Sequence, residues 1–267
     1  MTDKLKNFKL STIFDTNVFI TIYGKHSHNL IKYLIRSNTT SKFQKIIIFT
    51  DKKDYNSLLS QKISISPYNK NQLKKIINAQ ILKSKELLII FDLSTYENIF
   101  FRSASIKQLH SNSRDSNISC ILSTPTYLMP PIICVNSDYI FIFRQNCLSR
   151  NYYLYNYYGS LIKNRETFYK MLTVNINTNY KCLVIDNITQ SKDTYKYCDI
   201  ENLILKKCIN HWIKYVKYKK RKRINNSIIK IAFLPPNISR LKVLVDGGPI
   251  YKETMRNWQQ KLAEEQM

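Results

Sequence analysis

Short, nearly continuous apolar runs recur along this chain, and longer stretches with helical spacing separate them. The runs lie at residues 18–23, 45–50, 87–92, 118–123, 139–144 and 182–186. The helical patterns lie at residues 29–36, 69–85, 96–110, 161–172 and 200–222. Strands that are apolar on both sides are typical of parallel sheets with helices on both faces. The sequence therefore predicts an α/β fold with a mostly parallel central sheet and a basic helical C-terminal region.

A glycine and a lysine stand between the first apolar run and the first helical pattern. Gly24 is the only glycine in the first 158 residues, and Lys25 follows it. A phosphate-binding loop uses glycine so that backbone N–H groups can approach phosphate oxygens, and lysine to bind the outer phosphates. The candidate nucleotide-binding residues are Gly24, Lys25, Ser27 and Asn29. The pattern G-x-x-x-x-G-K-[ST] is incomplete, because counting from this glycine its last three places hold Asn29, Leu30 and Ile31.

Two features could compensate for the incomplete loop. Lys25 follows the glycine directly, and some deviant loops use an early lysine. His26 and His28 could also contact phosphate, but we interpret both as exposed turn residues.

The third apolar run ends in an acid. Residues 87–92 read Leu-Leu-Ile-Ile-Phe-Asp. An aspartate at the carboxyl end of a buried strand, downstream of a phosphate loop, can hold Mg²⁺ directly or through water, so Asp92 is the candidate metal ligand. The alternative is that Asp92 caps the turn that follows it. An active ATPase of this type has a second acid next, but here Leu93 follows, and the nearest acid is Glu97.

Residues 112–143 carry several motifs in a fixed order. Before and after the strand pattern at 118–123 come Asn112, Arg114, Asp115, Pro130, Pro131, Cys134, Asn136, Asp138 and Tyr139. This order resembles the packaging ATPases of large DNA viruses, the poxvirus type, within the FtsK–HerA group of P-loop ATPases. The resemblance covers about two thirds of the chain, residues 14–187. It implies a P-loop NTPase-like fold, a role in genome packaging, and ATP with Mg²⁺ as cofactors if the site still binds nucleotide.

The departures from that family's pattern fall where ATP is hydrolysed. Leu93 stands in place of the second acid, and the polar sensor position holds Thr124 or Pro125. Cys134 replaces the arginine that would reach the γ-phosphate in a neighbouring subunit. An arginine finger contributes on the order of 10³–10⁵ to the rate. The resemblance therefore implies an ATPase-like protein whose hydrolysis is impaired or lost.

The chain is strongly basic, with a formal net charge of +24. Such a charge favours a polyanionic partner, and we predict double-stranded DNA. Residues 205–223 contain nine Lys or Arg, no acid, and aromatic residues at helical spacing. The candidate DNA-binding residues are Lys214, Lys217, Lys219, Lys220, Arg221, Lys222 and Arg223. The alternative is a solvated basic surface that reflects an AT-rich coding sequence.

A tyrosine cluster precedes residue 160. Its members are Tyr152, Tyr153, Tyr155, Tyr157 and Tyr158. These rings could stack on bases, but a buried helix or strand edge is the favoured interpretation.

We expect an ATPase-like domain at residues 1–199, a basic helical extension at 200–242 and a polar tail at 243–267. The six cysteines form no C-x-x-C pair, which favours a reducing compartment. No apolar run approaches membrane-spanning length, so we expect no membrane partner. The resemblance implies a homo-oligomeric ring or viral capsid and packaging partners. It places the protein in the host cytoplasm, at a viral factory, or in the virion.

Two other functions stay open at this point. One is an active packaging motor with a deviant phosphate loop that uses Lys25 and Asp92. The other is a basic nucleic-acid-binding protein without nucleotide chemistry. It would be favoured by a fold without a parallel sheet, or by a Gly24 far from the carboxyl ends of the strands.

Overall fold

The computed structural model describes most of the chain up to residue 200. The described residues are 5–24, 26–80, 85–93, 100–101, 103–124, 130, 133, 136–144, 147–159, 162, 164–174, 176, 180–189 and 194–200. They belong to the first of two units into which the chain divides, residues 1–211. The predicted basic helical extension and polar tail, from residue 201 onward, lie outside the described residues.

The described strands form one mostly parallel sheet. They are β1 (Lys6–Asn7), β2 (Phe19–Tyr23), β3 (Lys45–Thr50), β4 (Ile63–Ser66), β5 (Leu87–Asp92), β6 (Ile118–Thr124), β7 (Tyr139–Phe143), β8 (Lys181–Asp186) and β9 (Tyr195–Asp199). Their order is β1-β9-β8-β7-β2-β6-β5-β3-β4. The six strands from β7 to β4 are parallel to one another, and among the described strands only β8 runs in the opposite direction. The predicted mostly parallel sheet is confirmed.

Helices cover both faces of this sheet. The described α-helices are α1 (Ser27–Arg36), α2 (Lys70–Gln80), α3 (Ala104–Asn112), α4 (Leu148–Tyr158) and α5 (Arg165–Val174). Helix α1 buries Leu30 and Leu34 in the same core as Ile20 of β2. Helices α2 to α5 bury their apolar residues in the core on the other face, which includes Phe19 of β2. Alternate residues of one strand thus enter opposite cores, as the pleat requires, and the predicted two-sided helix cover is confirmed.

Three of the strands were not predicted, and all lie toward an edge of the sheet. The β4 sequence, Ile-Ser-Ile-Ser, is half-buried throughout, and β1 is two exposed residues long. β9 alternates tyrosine with polar residues until its buried end. These segments lack the continuous apolar run that marks a strand covered on both faces.

Several predicted helix bounds were also wrong. Helix α1 begins at Ser27, two residues before the prediction, and α5 begins four residues after its predicted start. The predicted start of the helix at 96–110 lies outside the described residues. Within that range, helix α3 begins after Ser103, whose hydroxyl accepts a hydrogen bond from the Ile106 amide at 3.4 Å. The tyrosine-rich helix α4 was not among the predicted helical patterns, because its apolar and polar residues do not separate into clear faces, but a buried helix was one of the two interpretations favoured for its tyrosines.

None of the described helices is long and apolar enough to cross a membrane.

Candidate phosphate site at the carboxyl edge of the sheet

The carboxyl ends of four neighbouring parallel strands bring the candidate residues together. In the register of the sheet, Thr50 of β3 pairs with Asp92 of β5, and Asp92 pairs with Ser123 of β6. Tyr23 of β2 pairs with Thr124, also of β6. Ligands of open α/β sheets bind outside the carboxyl ends of the strands. The row of residues is therefore at the edge where such a fold places its site.

Gly24 makes the turn from β2 into α1. Its φ is +119°, a conformation that residues with a side chain rarely adopt. Its N–H donates to the Thr124 carbonyl at 3.0 Å, and its own carbonyl accepts from the Ser27 amide at 3.3 Å. Helix α1 begins at that serine, so the turn is only three residues long. Lys25, the predicted phosphate-binding lysine, lies outside the described residues.

Helix α1 begins within the residues that the phosphate-loop pattern, counted from Gly24, would occupy. Asn29 lies in the first turn of α1, where it is half-buried and its amide donates to the His26 carbonyl at 3.1 Å. Leu30 and Ile31, which follow it, are completely buried in the core. Those positions are helix, not loop. Gly24 therefore corresponds better to the last glycine of a phosphate loop than to the first, with the preceding part of the loop missing.

The two histidines near this turn are less exposed than predicted. His26 precedes α1 and His28 lies inside it, and both are half-buried. Their ring centroids are 6.5 Å apart. The predicted exposure is wrong for both histidines, although His26 does lie in the turn before α1. His28 lies inside the helix because α1 begins two residues before its predicted start.

A short chain of hydroxyl groups joins the start of α1 to Asp92. Ser27 Oγ is 2.7 Å from Ser123 Oγ, which is 2.7 Å from Asp92 Oδ1, and all three side chains are buried. A carboxylate only accepts, and each hydroxyl has one proton. Ser123 therefore donates to Asp92 and accepts from Ser27. The predicted nucleotide-binding serine and the predicted metal ligand belong to one network.

Asp92 also binds two side chains that sequence reasoning did not identify. Lys52 Nζ donates to Asp92 Oδ1 at 2.9 Å, and the Tyr55 hydroxyl donates to Oδ2 at 2.5 Å. Tyr55 is completely buried, as is Asp92, whereas about a quarter of the Lys52 side chain is exposed. Both partners follow β3, and Tyr55 lies in a 3₁₀ helix, Lys53–Leu58. Three donors thus converge on one buried carboxylate.

Thr50 fixes the position of Lys52. The Thr50 hydroxyl donates to the Asp92 carbonyl at 2.8 Å and accepts from the Lys52 amide at 3.0 Å. These two bonds join the end of β3 to the end of β5. They turn the chain so that the Lys52 side chain reaches the Asp92 carboxylate. The only signal in the sequence is a threonine at the end of a strand, which is too common to predict this contact.

The groups around Asp92 differ from those that Mg²⁺ requires. Mg²⁺ binds oxygen ligands in near-octahedral geometry and keeps several waters. The Asp92 side chain has no exposed surface, and the Lys52 ammonium lies against Oδ1. Among the described residues, no group of three or more acidic, histidine or cysteine side chains could hold a metal ion. The residues as arranged do not fit Mg²⁺ at Asp92.

Part of the family-like motif lies at the opposite edge of the sheet. Asp138, which precedes β7, accepts from the Phe19 amide at 2.7 Å through Oδ2 and forms an ion pair with Arg114. Because Phe19 and Tyr139 begin their strands, this pair is at the amino edge, away from Asp92. At this edge the motif residue Asp138 therefore holds the start of β2 beside the start of β7. Cys134 and Pro131 lie outside the described residues.

The tyrosine cluster is mainly structural where it is described. Tyr158 is buried, and its hydroxyl is 2.9 Å from that of Tyr23. Tyr152 is about half exposed, with the Arg165 guanidinium 5.0 Å from its ring centroid. The seven candidate DNA-binding residues, from Lys214 to Arg223, lie outside the described residues and stay a prediction.

Comparison with known proteins identifies the fold. No family model matches the chain, and no curated protein matches it. Among solved structures, B204, the DNA-packaging ATPase from Sulfolobus turreted icosahedral virus, is 19% identical with a TM-score of 0.53, covering 68% of this chain and 97% of that one. The genome packaging NTPase B204 from Sulfolobus turreted icosahedral virus 2, in complex with ATP-gammaS, is 20% identical with a TM-score of 0.52, covering 68% and 96%. The same protein in complex with AMP is 18% identical, with a TM-score of 0.52 and the same coverage.

At these identities the likeness shows the fold. The chain has a P-loop NTPase-like α/β fold that is similar to the fold of viral genome-packaging ATPases. The predicted fold class and the resemblance in fold are confirmed. Gly24, Ser27 and Asp92 lie at the carboxyl edge of the sheet, where α/β folds bind their ligands.

Proposed function

We propose that this protein is a viral DNA-packaging ATPase-like protein whose ATP hydrolysis is impaired or lost. It acts in genome packaging or virion assembly, through contact with double-stranded DNA and through oligomerisation. The observation that carries the proposal is the environment of Asp92, which is completely buried and held by Lys52, Tyr55 and Ser123.

The nucleotide part of the proposal is supported by the position of Gly24 and Ser27. Both lie where β2 turns into α1, and a helix N-terminus at this edge of a parallel sheet favours phosphate binding. The hydroxyl chain from Ser27 to Asp92 ties this turn to the strand that carries the acid. A basic protein with an unrelated fold would not be expected to combine these features.

The loss of hydrolysis is supported by the groups that the reaction would need. A general base or water-positioning acid is expected directly after Asp92, but Leu93 stands there and is buried. Asp92 itself neutralises a lysine and has no exposed surface. Cys134 occupies the place of the arginine finger in the family pattern. Without a positioned water and a positive charge beside the γ-phosphate, little remains to lower the barrier to ATP hydrolysis.

The DNA and assembly parts rest on charge and on the resemblance. A net charge of +24 favours a polyanionic partner, with Lys214 to Arg223 as the candidate contact. We propose a homo-oligomeric ring or viral capsid and packaging partners, in a viral factory or in the virion. DNA affinity should fall steeply with salt concentration, and replacing several of these lysines should reduce that dependence.

The experiment that tests the proposal is ATP turnover by the full chain with duplex DNA present. Kinases, which transfer the same phosphoryl group, turn over at about 1–100 s⁻¹, and we expect a rate at least about 10³-fold lower. The variants are Asp92→Asn and, as the matched control, Asp54→Asn, which changes an exposed acid in the 3₁₀ helix after β3. Turnover near the ordinary range that Asp92→Asn abolishes and Asp54→Asn leaves intact would show an active motor instead.

A further inference from the structure

Lys52 lies beside Asp92, where a nucleotide site of this fold would have its divalent cation. We propose that the Lys52 ammonium substitutes for Mg²⁺, so that the site binds the polyphosphate of a nucleotide without a metal ion. The inference rests on the proposed nucleotide site at Gly24 and Ser27. It adds a binding residue to that site and removes the need for a metal.

Three donors already surround the Asp92 carboxylate. Oδ1 accepts from Lys52 at 2.9 Å and from Ser123 at 2.7 Å, while Oδ2 accepts from Tyr55 at 2.5 Å. The residue is completely buried. A hydrated Mg²⁺ would have to displace the ammonium and open the site to water. The lysine already occupies the cation position.

Lys52 also supplies the positive charge that a phosphate site beside a carboxylate needs. A bare carboxylate at this edge would repel a phosphate group, and in an ordinary site the metal ion removes that repulsion. Here one ammonium neutralises one carboxylate at hydrogen-bonding distance. An ammonium has three N–H donors, and the bond to Asp92 uses one of them. The others can donate to phosphate oxygens.

Lys52 is accessible from solvent at the same edge of the sheet as the turn after Gly24. Its side chain is about a quarter exposed while Asp92 is fully buried, so solvent reaches the lysine but not the aspartate. The oxygen that it contacts also accepts from Ser123, which is hydrogen-bonded to Ser27 at the start of α1. Lys52 and the turn after Gly24 lie at the same edge of the sheet. The lysine can therefore donate to a phosphate that is bound at the turn.

The decisive experiment measures the affinity of the wild-type full chain for ATP by calorimetry, with Mg²⁺ and separately with EDTA. Inorganic tripolyphosphate is measured in parallel as the phosphate-only probe. We expect ATP affinities in the two buffers to agree within about twofold. An ATP affinity that falls about tenfold or more in EDTA would overturn the inference and leave the proposed nucleotide site standing. This comparison needs no substitution, so it is decisive even if a variant fails to fold.

Variants test which residue supplies the charge. Lys52→Ala should weaken ATP binding in EDTA by about tenfold or more, the loss expected for a charge-assisted hydrogen bond. Added Mg²⁺ should restore part of that affinity, because the space beside Asp92 is then open to a cation. Lys52→Arg should retain most of the metal-free affinity. Lys53→Ala removes the same charge one residue later, on an exposed side chain, and should change affinity by less than about twofold.

A readout without nucleotide separates the outcomes further. Mn²⁺ binding, followed by electron paramagnetic resonance, should appear in Lys52→Ala and be absent at this site in the wild type. Equal Mn²⁺ binding by both proteins would contradict the inference. Binding of neither ATP nor tripolyphosphate in any buffer would overturn the nucleotide site and the inference together. Metal-free binding of tripolyphosphate without ATP binding would support the lysine and contradict the nucleotide function.

Discussion

The two edges of the sheet each carry a buried aspartate with a basic partner, but the two acids have different neighbours. At the amino edge, Asp138 accepts from the Phe19 backbone amide and pairs with Arg114, whose side chain is 60% exposed. At the carboxyl edge, the carboxylate of Asp92 binds only side chains in its described contacts. A carboxylate that holds backbone amides stabilises a strand junction. The Asp92 carboxylate is instead held by an ammonium and two hydroxyls, so its position is fixed and its charge is neutralised.

The largest expected difference comes from removing the basic partner at each edge. Lys52→Ala leaves a fully buried carboxylate without its cation, and should lower the free energy of unfolding by about 3 kcal/mol. Arg114→Ala removes a mostly exposed partner from an acid that keeps its backbone bond, and should cost about 1 kcal/mol or less. Urea unfolding of both variants measures the difference. Equal losses would show that the two acids are equivalent structural anchors.

The hydroxyl donors at the carboxyl edge should have the next largest effect. Tyr55→Phe keeps the buried ring but removes the donor to Asp92 Oδ2, so an acceptor is left unsatisfied. The expected loss is about 2 kcal/mol of unfolding free energy. Tyr152→Phe, on a half-exposed tyrosine of α4, is the matched control and should change stability very little. A loss at Tyr55 as small as in the control would mean that Asp92 does not depend on this bond.

The sequence predicts the central strands of the sheet but not the side chains that bind Asp92. The six strands with continuous apolar runs were predicted because burial on both faces leaves a strong pattern. The parallel order then places Gly24 and Asp92 at one edge. Lys52 and Tyr55 could not be predicted, because they lie 40 and 37 residues before Asp92. Lys52 reaches it through the turn that Thr50 holds, and Tyr55 through the 3₁₀ helix that follows. No local periodicity records a contact of that kind.

The two edges also use unusual backbone conformations differently. Gly24 has a φ of +119°, and Asn117, just before β6 at the amino edge, has a φ of +54°. Gly24→Ala should lower the free energy of unfolding by about 1 kcal/mol, because a Cβ is strained at that angle. Asn117→Gly should change it by about 0.5 kcal/mol or less, since glycine adopts this conformation readily. Thermal unfolding checks both, and a neutral Gly24→Ala would remove the steric reason for glycine at the turn.

The last expected effect is a pH dependence confined to the amino edge. Burial, and next to it the Arg114 charge, lower the pKa of His110, while Asp138 raises it less. A histidine whose folded pKa is below its unfolded value destabilises the fold on protonation. Its share of the stability is therefore complete above about pH 6.5 and is lost as the pH falls from there toward the folded pKa.

The stability of the wild type should fall between pH 7 and pH 5 on this account, with a slope from this one group no steeper than about 1.4 kcal/mol per pH unit. His110→Phe removes the titrating group while retaining an aromatic ring against Phe19, whose centroid is 4.9 Å from that of the histidine. The slope of unfolding free energy against pH should be smaller in this variant. His28→Phe, in the half-buried part of α1 near the carboxyl edge, is the control for losing a histidine. If both variants flatten the slope equally, the pH dependence is not a property of the amino edge.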